Sequence, residues 1–236
     1  MTNPSLPVSD LPVYGRIAEH LAREIAAGRL VDGERLPPER RMSAQFGISV
    51  GTLRKALAEL AGRGLLRRVQ GSGNYVRADG IRDSVYAMFR LERPGGGGMP
   101  RARVLSVDLL DKPAQLPAFG QDTRGSRIRR LRFLGDTPVA LEEIWLDLSK
   151  GRVIEADLSD SLYRYYQQNL GFWIARVEDW VSVGTVPDWA AADFSVLPGT
   201  VCGYVERFAW ADADSPVEFS RTWFDPDRAR YVQRMK

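Results

Sequence analysis

Two groups of arginines stand where their chemistry could be used. Arg40 follows closely on Pro37-Pro38, and Arg54 lies two turns into the next apolar-periodic segment. A guanidinium so placed can grip a phosphate or pair bidentately with a guanine edge, the latter contributing about 1 to 3 kcal/mol of base discrimination. Lys55, Arg67 and Arg68 add cations nearby, and Gly71-Ser72-Gly73 leaves backbone amides free between two short strand-like runs. Further along, Arg130 and Arg132 alternate in a strand-like run, so both project from one face with their Cα atoms about 7 Å apart. Like charges on one face repel unless something negative lies between them. With no carboxylate close on that strand, the pair invites an anionic ligand. Ser161 and Tyr163, near an expected helix start, could add hydroxyls and amide donors to the same anion. The alternative is that these arginines form salt bridges to Glu142, Glu143 or Glu218 across a sheet.

The elements that would hold the first group are legible. Pro37-Pro38 opens a helix without costing a hydrogen bond, Met42 and Phe46 stand four apart, and Gly47 closes it. Ser49 is a natural N-cap for a second helix, in which Leu53, Ala56, Leu57 and Leu60 form the packed face. That leaves Gly51, Thr52, Arg54 and Lys55 on exposed N-terminal turns, where a recognition helix meets base edges. Leu65 to Val69 and Asn74 to Arg77 read as a hairpin, or wing. An earlier helix from Val13 to Ala27, with Ile17, Leu21 and Ile25 four apart and a stop at Gly28, braces the pair.

The run from Tyr14 to Val76 resembles the DNA-binding domain of the GntR family of bacterial transcription regulators. The resemblance rests on Gly28-Arg29-Leu30, Leu36-Pro37-Pro38-Glu39-Arg40, Phe46-Gly47-Ile48-Ser49, Thr52-Leu53-Arg54-Lys55-Ala56-Leu57 and Gln70-Gly71-Ser72-Gly73. It implies a winged helix-turn-helix and carries DNA contact onto Arg40, Ser49, Thr52, Arg54 and Gly71. Lys55, Arg67, Arg68 and Ser72 complete the expected DNA-contacting set. One departure is Val50, where most members have arginine; it offers a thymine methyl an apolar contact at most.

Residues 1–10 read as a loose tail, residues 11–77 as the DNA-binding domain and residues 78–83 as a linker without apolar periodicity. From residue 84 strands predominate: Val85 to Leu91, Arg103 to Leu110, a hairpin of Arg127 to Leu134 with Val139 to Leu146, Phe172 to Val183, and Thr200 to Trp210 with Val217 to Phe224. Helices are expected at Leu158 to Leu170 and Pro187 to Phe194. The four glycines at 95–98 precede no helix N-terminus and read as a lid or linker. The class is α+β with a largely antiparallel sheet over residues 84–236.

This second part resembles the UTRA effector-binding domain of the HutC branch of the same family. The matching stretches are Arg130-Leu131-Arg132-Phe133, Gly135-Asp136-Thr137-Pro138-Val139 with Glu142, Asp160-Ser161-Leu162-Tyr163, Ser215-Pro216-Val217-Glu218 and Asp227-Arg228. The resemblance implies a chorismate-lyase-like fold that dimerises and changes operator affinity when a small molecule binds. It places a phosphate at Arg130, Arg132, Ser161 and Tyr163, and ligand hydroxyls or amines at Glu142 and Glu218. Phe224 stands where sugar-phosphate sensors tend to have tyrosine.

Charge supports this division: residues 1–80 carry 12 Lys and Arg against 8 Asp and Glu, whereas residues 81–236 carry 21 against 22. A basic head before a near-neutral body suits a nucleic-acid reader with a separate sensor. A single cysteine, Cys202, excludes an intrachain disulfide, and with only His20 beside it no zinc site is expected. Cys202 is expected in the core and His20 on a helix surface. Six tryptophans fall in the second part, and Trp145, Trp180 and Trp223 could form an aromatic wall beside Glu218 for a ligand's cation. With no leader and no apolar run near 20 residues, a cytoplasmic protein without cofactor is expected. The chain therefore reads as a homodimeric, non-enzymatic repressor of an inverted-repeat operator, controlled by a small anionic effector. The alternatives are a DNA-binding protein without effector, or an enzyme using Glu142, Glu218, Asp179 and Arg132 as an acid/base set.

Overall fold

The computed structural model describes residues 12–26, 29–77, 88–96, 98, 100–158, 161–211 and 214–234. The tail, the Gly28 stop and the linker at 78–83 lie outside them. Two compact units result, one built on Ser9–Arg90 and the other on Leu91–Arg230.

The first unit holds α1 (Val13–Ala26), α2 (Glu39–Phe46), α3 (Val50–Gly62), β1 (Leu66–Val69) and β2 (Gly73–Val76). Ala18, Leu21, Ile25, Met42, Leu53, Leu57 and Leu60 close one core between the helices. Gly47 ends α2 at φ 64°, a left-handed conformation that suits glycine. The Ser49 hydroxyl then accepts the Thr52 N–H at 3.1 Å and starts α3. His20 is not a surface residue: it packs edge-on against Phe46 at 5.6 Å, and burial lowers its pKa. Helical spacing alone put it outside the apolar stripe, but Phe46 reaches it.

In the second unit, β3 (Leu91–Glu92) is followed by β4 (Pro100–Asp111), β5 (Arg124–Leu134) and β6 (Thr137–Asp147). Then come α4 (Leu162–Tyr165), β7 (Arg176–Thr185), β8 (Val201–Trp210) and β9 (Glu218–Phe224). Strands β4 to β9 form one antiparallel sheet in the order β4-β5-β6-β9-β8-β7. Three expectations are corrected. The strand at Val85 to Leu91 is reduced to Leu91–Glu92, with Phe89 and Arg90 in irregular backbone and residues 85–87 outside the described ones. The helix at Leu158 to Leu170 starts only after Ser161, whose hydroxyl accepts the Arg164 N–H at 3.3 Å, and widens into a π turn over Tyr166–Leu170. Pro187 to Phe194 is no helix but successive turns, closed by Ala190 N–H to Pro187 and Phe194 N–H to Ala191. Trp189 and Phe194 there pack into the core beside Trp223, and that packing overrides local propensity.

Candidate functional site

On the first unit, α3 presents Ser49, Arg54 and Lys55 to solvent, with Thr52 half-buried and its hydroxyl 2.8 Å from that of Ser49. Arg40 is exposed on α2 and Gly71 at the wing tip, while Ser72 bonds the Tyr75 hydroxyl at 2.7 Å. The wing splits its two arginines, because neighbours on a strand point to opposite faces. Arg68 lies 3.7 Å from Glu39, whereas Arg67 lies over the Tyr75 ring at 5.9 Å. Between the wing and the start of α2 runs a groove of 680 Å³ lined by Arg35, Pro38, Glu39, Arg68, Gly71 and Asn74. Such a surface offers cations to a phosphate backbone and an arginine fork to base edges.

On the second unit, the sheet register places Arg130, Arg132, Glu142, Ser220, Thr222, Phe224, Arg207 and Asp179 on one face. The arginine pair is not left without a counter-charge. Glu142 sits directly across from Arg130, accepting from its Nη2 at 2.7 Å and lying 3.7 Å from the Arg132 Nε. This is the salt bridge across the sheet that the sequence offered as the alternative, and hairpin pairing brings the carboxylate next door. Burial alone would raise the Glu142 carboxyl, but Arg132 and Arg130 outweigh it and hold its pKa down. The buried Arg130 Nη1 has no hydrogen-bond partner among the described residues.

Glu218 is buried and accepts from Tyr163 at 3.2 Å and Tyr166 at 2.6 Å. Burial pushes its pKa up, only partly offset by Tyr166, Arg207, Tyr163 and Arg130. The π turn lets Tyr166 stack on Phe172 at 4.9 Å while its hydroxyl reaches Glu218. Arg207 pairs bidentately with Asp179 at 2.5 and 2.7 Å. Arg207 and Tyr166 were missed from sequence, since an isolated arginine or tyrosine carries no signal until strand pairing places it. Ser161 caps α4, and Phe224 lies over Gly203, where an added Cβ would stand 2.2 Å from the ring.

The aromatic wall beside Glu218 does not form. Trp145, Trp180, Trp210 and Trp223 project from the opposite sheet face. There Trp223 packs edge-on to Trp189 at 5.6 Å, and Arg129 lies over Trp189 at 4.6 Å. Arg129 itself pairs with Glu143 at 2.8 Å on that same face.

Residues 13–76 match the bacterial regulatory proteins of the gntR family, and residues 96–230 match the UTRA domain. The HTH-type transcriptional regulator SmoD of Agrobacterium fabrum is 55% identical over 227 residues, covering 96% of this chain and 97% of that one. The HTH-type transcriptional repressor NagR of Bacillus subtilis is 26% identical, with 96% of each chain covered. Among solved structures, the possible transcriptional regulator YydK of Bacillus subtilis superposes with a TM-score of 0.53 at 20% identity, over 96% of this chain and 100% of that one. This last likeness speaks for the fold.

Proposed function

Since the chain belongs to the gntR family of bacterial regulatory proteins and carries a UTRA domain, we propose that it is a repressor released or tightened by a small anionic metabolite. That it is a DNA-binding transcription regulator with a ligand-binding domain is the premise; the sign of regulation and the effector's charge are the proposal. The repressor reading is supported by NagR and by the Escherichia coli mannosyl-D-glycerate transport/metabolism system repressor MngR, 31% identical over 146 residues that make up 58% of this chain and 60% of that one. The anion reading rests on one observation: beside the Arg130–Glu142 ion pair, the Arg130 Nη1 donor is buried without a hydrogen bond among the described residues. An anion entering there would satisfy that donor. Ser161 and Tyr163 are assigned to the same anion, and Glu142, Glu218 and Phe224 to the rest of the effector.

We assign no catalytic step to this face. The carboxylates of the conceivable acid/base set are already held, Glu142 by Arg130, Asp179 by Arg207 and Glu218 by two tyrosines. A thermal-shift screen with carboxylate- and phosphate-bearing metabolites, each beside its neutral analogue, tests the reading. Stabilisation by an anion that is recovered unchanged and alters operator binding is expected. Stabilisation only by neutral or cationic compounds would overturn it.

A further inference from the structure

The DNA-facing surface holds a carboxylate at its centre, which nonspecific attraction to phosphate does not explain. Glu39 is the first residue of α2. Its Oε2 accepts from the Nε of Arg54 on α3 at 2.7 Å, and its Oε1 lies 3.7 Å from the Nη2 of Arg68 on β1. One acid thus ties the recognition helix to the wing, while the two arginine side chains remain 62% and 67% exposed. Among the described residues no other hydrogen bond engages Arg54. Its Nε is taken, so the two Nη groups form the free end of the fork and face solvent.

We propose that Glu39 is a specificity-determining positioning residue: it holds Arg54 so that the Nη fork is presented to a guanine edge, and it withholds charge from arbitrary phosphates. The inference rests on the reading of Arg54 as a base-reading residue. Bidentate pairing needs both Nη donors in one plane at fixed reach, and a long exposed arginine without an anchor spreads over many rotamers. An arginine pair with one of its two charges offset also attracts any duplex less, because nonspecific affinity scales with the cations available to displace counterions. Glu39 would therefore lower binding to all DNA and favour the correct sequence, a device of specificity by penalty.

The test uses the full chain, a duplex selected by the wild type from random sequence, and a scrambled duplex of the same length, with anisotropy titrations over a salt series. In Glu39→Ala, discrimination between the duplexes is expected to fall about tenfold or more. Affinity for the scrambled duplex should rise, with a salt slope steeper by about 1. Glu39→Gln should show the same steeper slope yet keep part of the discrimination, because its amide oxygen still accepts from the Arg54 Nε. In an Arg54→Ala background, Glu39→Ala should change discrimination no further. Equal loss on both duplexes would reduce Glu39 to a structural role and overturn the inference. So would a loss of discrimination that persists without Arg54, since Glu39 would then read a base itself. If Arg54→Ala alone leaves discrimination intact, the base-reading role of Arg54 fails, and the inference with it.

Discussion

Two glutamates on one sheet face have opposite tendencies, and pH separates them. Glu142, held down by Arg132 and Arg130, stabilises the fold above the usual glutamate pKa, and the contribution is lost as pH falls through its lower folded value. Glu218, pushed up by burial, favours the fold in its neutral form, so its contribution is present below the usual value and lost as pH rises through the folded one. Glu218→Gln should therefore gain on the wild type in thermal denaturation as pH goes from 5 to 8; a gap that stays constant would contradict the assignment. Glu142→Ala removes the carboxylate paired with the buried Arg130 and should cost about 3 to 5 kcal/mol in denaturant unfolding. The arginine pair was legible in the sequence, because alternation on a strand is local. Its partner was legible only as one of three glutamates, because register is set by hairpin pairing rather than by spacing.

Among the elements, those with local punctuation were read well. Gly47 and Ser49 mark the turn between α2 and α3, and Gly135-Asp136 marks the hairpin of β5 and β6. Removing the cap, as in Ser49→Ala, should cost about 1 kcal/mol of stability and loosen the start of α3, a change readable by denaturant titration. The segments misread from sequence owe their form to distant partners: the π turn to Glu218 and Phe172, and the turns after Pro187 to Trp223. Close packing also decides Gly203. Its neighbour Phe224 occupies the space a Cβ would need, so Gly203→Ala should displace that ring and change effector affinity while operator binding persists. Unchanged calorimetric affinity for the effector would remove Phe224 from the site.

At the scale of the whole molecule, charge and strand grammar suggest two units, with a linker expected at residues 78–83, whereas assembly leaves only an indirect trace. Strand β7 ends the large sheet, and Trp180, Val181 and Val183 are exposed on it at 57, 53 and 75%. An apolar, unpaired edge of this kind is a template for another strand. We propose a second copy there, giving the two-fold pair that an inverted-repeat operator requires. Val183→Glu should yield a monomer in analytical ultracentrifugation and weaken operator binding, while a dimer of unchanged strength would place the interface elsewhere. The central claim is that one face of the second unit senses an anion and the first unit reports it on DNA. Its most direct test is Arg132→Ala, assayed by calorimetry with the metabolite found to alter operator binding and by operator titration without it. The account predicts that operator affinity is kept and effector affinity is lost; an unaltered effector affinity in that variant would contradict it.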